Sequence, residues 1–484
     1  MSYKTALERM YALGHELANA PSHKFDLAHV RVLLAALNNP ERKFPGVLIA
    51  GTNGKGSTAA TLASILSASS LRTGLYTSPH LVRINERIRI NGDEISDDDF
   101  ALLHDVVDRT AERLVEEGEL PWHPSFFEML TAIAFEYFAQ NKVEIAVLEV
   151  GMGGRLDATN VIEPRVSVIT DVSLDHQKFL GNSVSEIARE KAGIIRPGGV
   201  VVTLPQQPQA NDVIGSTILE LGAQGVSAVP YVPPVSPGST EHLVRTADSA
   251  AERRKNKADG ASRGLDSQED QAPAVRQKIG ETNARAVSRY PLQVMGKQIL
   301  VETHLVGRHQ LRNIALAIAT VEVLSHQGFV ITPEAIEHGI RETRWPGRFQ
   351  VLPAQGGAPE YVFDVAHNPA GAWALRSTLS ACYEDRRLTF VFGAMRDKAI
   401  GEMAEILFPL AVRVIATRAD NPRSATPDEI REAAVRTATD IEDAIDVASA
   451  LGRARSMAGS DGIVVVTGSI YIVGEAMQVL GVKV

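Results

Sequence analysis

The chain of 484 residues has one cysteine, Cys382. No internal disulfide can form, and a reducing compartment fits that count. Aromatic residues make up only 5%, and lysine plus arginine (49) fall short of aspartate plus glutamate (58), for a net charge of −9. Without a basic excess to neutralise phosphates, nucleic acid is not the expected partner. No apolar run is long enough to span a bilayer. The first residues, MSYKTALERMYALGHEL, hold no apolar signal-peptide core. The expectation is a cytoplasmic, monomeric enzyme acting on small molecules, with neither membrane nor nucleic acid as partner.

What is present is ordinary for a globular protein: 44% hydrophobic and 22% charged residues. Short apolar runs alternate with helical patterns: VLIA (47–50), TGLYT (73–77), IAVLEV (145–150), VSVIT (166–170) and VVVTL (200–204). That alternation predicts an α/β fold around a largely parallel sheet, with ligands at the carboxyl ends of the strands. Residues 232–290 break the pattern. Their polar, mixed-charge stretch ADSAAERRKNKADGASRGLDSQEDQAPAVRQK buries too little apolar surface to offset its ordering entropy, and reads as a flexible insertion. A hairpin (YPLQVMG, ILVETHLVG) and a helix over 309–326 follow. Pro346 and Gly347 mark a linker, after which YVFDVA, LTFVFGA, VRVIATRA and GIVVVTG build a second, smaller α/β domain. The expected domains are 1–345 and 346–484.

Residues 47–58, VLIAGTNGKGST, describe a phosphate cradle. A buried strand feeds a turn in which Gly51, Gly54 and Gly56 let backbone N–H groups point inward. The turn opens onto a helix N-terminus, where partial positive charge accumulates. Lys55 reaches outer phosphates, and Ser57 and Thr58 offer hydroxyls. The spacing departs from the standard P-loop, which needs glycine where Ile49 stands.

Other strands end in reactive residues. TSPHL places Ser78 after one strand, LEVGMGGRLDATN places Glu149 at the end of another, and TDVSLDHQKFLG carries Asp175 and His176. Lys191 lies in a short helix, IAREKAGII. Magnesium in a phosphoryl-transfer site takes hard oxygen ligands and only one or two carboxylates. Ser78 and Glu149 would serve; His176 is a softer ligand, and a lone histidine after a strand more commonly has a structural partner.

GTNGKGS, TSPHL, LEVGMGGRLDATN, LDHQKFLG, EKAGI, HQLRN, WPGRFQ, DVAHNP and TGSIYIVGE occur in this order. Together they resemble the folylpolyglutamate synthase and dihydrofolate synthase family, a branch of the Mur ligase superfamily, over nearly the whole chain except 232–290. The resemblance implies a P-loop-containing Mur-ligase-type domain followed by a smaller Rossmann-like α/β domain. It implies an ATP-dependent acid–amino-acid ligase: ATP phosphorylates the carboxylate of a folate or dihydropteroate, and L-glutamate displaces phosphate from the acyl phosphate, leaving ADP and phosphate.

Carried over by position, the resemblance assigns Asn53, Gly54, Lys55, Gly56, Asn313, Arg348 and Asp364 to ATP. Ser78, Glu149 and His176 become ligands of two magnesium ions, with room for K⁺ or another monovalent cation. Glu149, His176 and Lys191 are the expected catalytic residues, Lys191 as N6-carboxylysine. A carbamate supplies anionic oxygen where an ammonium would be repelled by the metal ions. Ser125, Phe126, Phe127, Glu128, Leu156, Asp157 and Ala158 match the pterin pocket, although the two phenylalanines also suit plain core. The LDA string (156–158) resembles members that also accept dihydropteroate. His367 and Ser469 match contacts for the incoming glutamate.

Two other readings compete. A peptidoglycan-precursor ligase of the Mur type would call for a UDP-sugar domain, and only about 45 residues precede the first strand, fewer than a domain needs. A non-catalytic nucleotide-binding module would have no use for Ser78, Glu149, His176 and Lys191 together.

Overall fold

Strand β1 (Gly46–Ala50) is buried at every position, because it lies at the middle of a sheet covered on both faces. The structure is a computed structural model that describes residues 1–14, 26–234, 287–437 and 439–483. Alternate residues of β1 feed two cores: Leu48 and Ala50 join one, Val47 and Ile49 the other. Most of the insertion read at 232–290 lies outside the described residues. At its C-terminal edge Ser288–Tyr290 already belong to a strand, since Ser288 and Tyr290 pair with Thr303 and Val301.

The first sheet adds β2 (Thr73–Tyr76), β3 (Ile88–Ile90), β4 (Asp93–Glu94), β5 (Ile145–Glu149), β6 (Pro164–Ile169), β7 (Val200–Thr203) and β8 (Gln224–Ser227). Their order is β4-β3-β2-β5-β1-β6-β7-β8. All pairings are parallel except those of β3 with β2 and β4. After β1 the chain moves to one side of it, and after β5 to the other. That reversal opens a crevice at the carboxyl ends of β1, β5 and β6.

The Lys55–Ala68 helix runs back from β1 and is buried along most of its length. It is held between the sheet and two helices, Arg308–His326 and Pro333–Glu342. At the second crossing a Cβ on Gly339 would stand 2.4 Å from Ile65 Cα, so only glycine permits the approach. Ser64 Oγ donates to Gly339 O across it at 2.7 Å. The hairpin β9 (Ser288–Val294) and β10 (Lys297–Thr303) packs beside the Pro333–Glu342 helix.

The chain then crosses to a second sheet of six strands. These are β11 (Gln350–Leu352), β12 (Glu360–Phe363), β13 (Leu388–Phe392), β14 (Ala411–Ala416), β15 (Ile441–Asp443) and β16 (Ile463–Thr467). The order is β11-β12-β16-β13-β14-β15, with only β11 antiparallel. Central strands β13 (LTFVF) and β16 (IVVVT) are buried throughout, as near-continuous apolar runs in a parallel sheet should be. The two sheets give the α/β architecture expected of the sequence. Among the described residues no helix is long and apolar enough to cross a membrane.

Candidate active site

The carboxyl ends of β1, β2, β5 and β6 face the second sheet across a cavity of about 760 Å³. Every residue assigned above to nucleotide, metal, pterin or glutamate lines it. Several other lining residues have no assignment from the sequence, notably Asp175 and Lys398.

The phosphate turn is rigidly built. Thr52 N and Asn53 N both donate to Asp171 O, at 2.7 and 3.3 Å, tying the turn to the end of β6. Thr52 Oγ1 donates to Ser173 O at 2.9 Å. Gly54 caps the Lys55–Ala68 helix at φ +89°, a left-handed conformation that favours glycine. A Cβ there would lie 2.3 Å from Asn313 Oδ1. Lys55 folds back, with Nζ donating to Gly51 O (3.1 Å) and Thr52 O (3.2 Å).

Lys191, 3% exposed, reaches the same turn from the Val184–Ala192 helix and donates to Gly51 O at 2.8 Å. Burial, reinforced by the neighbouring Lys55, pulls its pKa down to about 7. A substantial fraction of this amine is therefore neutral near pH 7 and nucleophilic.

Glu149 ends β5, directly beside Ile49 of β1, and is 5% exposed. Its Oε2 accepts from Ser78 N at 3.2 Å, which sets the end of β2 against the end of β5. His176 sits in a left-handed conformation at φ +50°. Its buried Nδ1 has no hydrogen-bond partner among the described residues. Burial pushes its pKa down to about 3, helped by the positive charges of Lys398, His367 and Lys55, so the ring is neutral and a free ligand nitrogen remains.

Asp175 is the centre of the seam between the two sheets. Its side chain, 8% exposed, receives Lys398 Nζ at 2.6 Å and Asn368 Nδ2 at 3.2 Å, with His367 Nε2 at 3.5 Å. Burial alone would raise its pKa, but the hydrogen bond from His367 and the surrounding charges hold it well below the usual carboxylate range. All three partners come from the second domain. His367 is oriented by a 2.9 Å contact between Nδ1 and Val365 O.

Burial lowers the pKa of Arg348, opposed by the charges of Asp364 and Glu149. Asp364 accepts backbone N–H groups from Phe349 and Ala366, each at 2.9 Å, so it also fixes the linker. Burial raises its pKa, against the pull of Arg348. Asn313 donates to Gln310 Oε1 at 2.9 Å, which leaves its carbonyl facing Gly54. Ser469 Oγ accepts from Tyr471 N at 3.2 Å and caps the last helix.

At the aromatic end the polar groups already have partners. Ser125 and Glu128 form a capping box for the Phe126–Gln140 helix, with Ser125 N and Oγ donating to Glu128 Oε2 at 2.8 and 2.7 Å. Phe126 is buried, stacked on Tyr11 at 6.0 Å with Arg87 5.5 Å from its ring centre. Phe127 is half-buried beside Tyr76 and Gly151. Asp157 accepts from Met152 N (3.0 Å), Thr159 N (3.0 Å) and Thr159 Oγ1 (2.6 Å), which shapes the glycine-rich turn after β5. Burial raises its pKa against those hydrogen bonds.

The arrangement suits transfer of a phosphoryl group held at a helix N-terminus to an acceptor lying toward the aromatic end, with a second reactant admitted from the other domain. Residues 347–470 match the family model described as Mur ligase, glutamate ligase domain. The chain is 33% identical over 454 residues to the dihydrofolate synthase/folylpolyglutamate synthase of Bacillus subtilis, covering 93% of each chain. It superposes with a TM-score of 0.76 and 29% identity on Mycobacterium tuberculosis folylpolyglutamate synthase complexed with ADP and AMPPCP, covering 98% of this chain and 99% of that one. A solved FPGS–AMPPCP–folate complex gives a TM-score of 0.74 at 28% identity, covering 99% and 100%.

Proposed function

The chain belongs to the dihydrofolate synthase/folylpolyglutamate synthase family of ATP-dependent ligases, and from that premise we propose that it joins L-glutamate to the carboxylate of folate and also of dihydropteroate. A carboxylate oxygen of the acceptor attacks the γ-phosphorus of ATP, releasing ADP and leaving an acyl phosphate. The neutral amino group of glutamate then attacks the acyl carbon. Phosphate departs, the nitrogen loses a proton, and an amide remains.

The residues are suited to each part. The turn amides and Lys55 cradle the phosphates. Asn313 from the Arg308–His326 helix, with Arg348 and Asp364 from the linker and the second domain, would hold the nucleotide. Ser78, Glu149 and His176 are the donors for magnesium, and the partnerless Nδ1 of His176 fits that role. Magnesium held there would supply positive charge against the phosphates. Lys191 is a buried amine of lowered pKa: its ammonium gives up one proton, the neutral amine adds to carbon dioxide, and loss of a second proton leaves a carbamate, an anion in place of a cation. The second domain brings His367 and Ser469 toward glutamate, and its closure keeps water from the acyl phosphate. Phe127, Leu156 and Ala158 flank the pterin ring, while Ser125, Glu128 and Asp157 shape the wall around it.

The observation that carries the reading is the convergence of Lys55 and Lys191 on one phosphate turn, with Ser78, Glu149 and His176 lining the same cavity. The experiment is glutamate-dependent ADP release by the purified chain with tetrahydrofolate, dihydropteroate or a UDP-muramyl acceptor. Turnover with both pteridine acceptors is expected. Turnover with the UDP-muramyl acceptor alone would overturn the proposal.

A further inference from the structure

Asn368 touches both sides of the domain seam with one amide. Its Oδ1 accepts from Gly371 N at 2.8 Å and caps the Pro369–Cys382 helix. That bond decides which way the amide faces. Its Nδ2 points across the seam and donates to Asn53 Oδ1 at 3.0 Å and Asp175 Oδ2 at 3.2 Å. The residue is 2% exposed, so water does not compete for these bonds.

Both acceptors are constrained in turn. Asn53 belongs to the phosphate turn, and its own Nδ2 donates to Ser173 Oγ at 3.3 Å. The Asn53 carbonyl therefore faces the second domain by design of its neighbours. Asp175 is gripped by Lys398, also from the second domain. If the seam opened, Asn53 Oδ1 and the Asp175 carboxylate would lose these donors together.

We propose that Asn368 is a positioning residue that seats the phosphate turn, through Asn53 and Asp175, when the second domain closes. The inference rests on the ligase reading above. Docking of the second domain and the shape of the nucleotide cradle are then one event. Before Asn368 arrives, the Asn53 side chain is held by the 3.3 Å bond to Ser173 Oγ alone, its Oδ1 has no donor from the second domain, and phosphoryl transfer waits on closure.

Asn368→Ser and Asn368→Asp separate this role from helix capping. Both keep an oxygen for Gly371 N, and serine, aspartate and asparagine cap about equally well. Neither offers an N–H to Asn53 or Asp175, and the aspartate adds like charge against Asp175. In the full-length protein N368S should melt close to the wild type, whereas N368D, which buries a second carboxylate beside Asp175, should melt lower. Both should lose about tenfold or more in kcat, as expected for lost hydrogen bonds to a buried charged group, with N368D the lower. KM for the pteridine acceptor, which meets the first domain, should stay within about twofold. Small-angle scattering should show the wild type contracting on AMPPCP and the variants contracting less.

Wild-type kcat in N368S would reduce Asn368 to a cap and overturn the proposal. So would a parallel loss of kcat and melting temperature in N368S. If the wild type releases no ADP with glutamate, the ligase reading fails instead. The scattering comparison then still decides the seam, and equal contraction in all three proteins overturns it.

Discussion

Lys55 and Lys191 donate to the same acceptor, the carbonyl oxygen of Gly51, at 3.1 and 2.8 Å. Burial, reinforced by the charge of Lys55 on the same oxygen, draws the pKa of Lys191 down to about 7. Lys191→Ala is expected to lose about 100-fold or more in turnover, the scale of a lost electrostatic group at a reacting centre. Acetate or formate should restore part of it by standing in for the carbamate. The amine gains nucleophilicity as pH rises through its pKa, so activation of CO₂-depleted enzyme by bicarbonate should rise across the same range. Wild-type turnover in the alanine variant would refute the carbamate.

Glu149→Gln keeps an acceptor for Ser78 N, so the ends of β2 and β5 stay joined. It removes the carboxylate charge. Turnover is expected to fall about 100-fold while the Kd for ADP, read by calorimetry, moves by less than about tenfold. Unchanged turnover would remove Glu149 from the metal site.

Gly54→Ala meets two costs at once, a left-handed φ of +89° and a Cβ 2.3 Å from Asn313 Oδ1. Loss of about 1–3 kcal/mol in stability is expected, together with weakened ATP binding. Gly118 is the control. Its φ is +76° and a Cβ there meets nothing within 4 Å, so Gly118→Ala carries the backbone cost alone and leaves ATP binding intact.

His104, fully buried in the Asp97–Glu116 helix, has no hydrogen-bond partner on either ring nitrogen among the described residues. Burial lowers its pKa, against the pull of Asp108 and with help from Arg9 and His123. The unfolded state therefore takes up a proton first as pH falls. His104 contributes full stability above its unfolded pKa, near 6.5, and that contribution declines as pH drops below it. His104→Leu should flatten this limb in urea unfolding followed between neutral and mildly acidic pH. An unchanged slope would show that the ring does not stay neutral.

Removing residues 240–280, which lie outside the described residues, is expected to leave turnover within about twofold of wild type. Their composition gives them little apolar surface to contribute to a core. A folded deletion variant without activity would give the segment a direct role.

Much of this was legible in the sequence because it is local. Apolar runs announced the strands, and the glycine-rich string after β1 announced the phosphate turn. Ser125 and Glu128 teach the opposite lesson. Their spacing, serine followed three residues later by glutamate ahead of an apolar helix, is the signature of a capping box, and the structure uses them so. Asp175, Asn368 and Lys398 could not be paired from the sequence. The contacts of Asp175 with Asn368 and Lys398 span 193 and 223 positions, and no periodicity reports on a seam between two sheets. Asn368 did stand in a readable place, before Pro369 at a helix start, which is the position of an N-cap. Its second task, across the seam, was invisible there.

The cavity of about 760 Å³ takes in both the Gly54–Lys55 turn and the Phe127 wall. Its two ends are therefore addressable by one molecule. A compound that tethers an anionic head for the turn to a flat heteroaromatic ring for the Phe127 end would bind its second half at the high local concentration set by the tether. Inhibitor discovery against this chain can start from such two-ended ligands, with linker length as the first variable to scan.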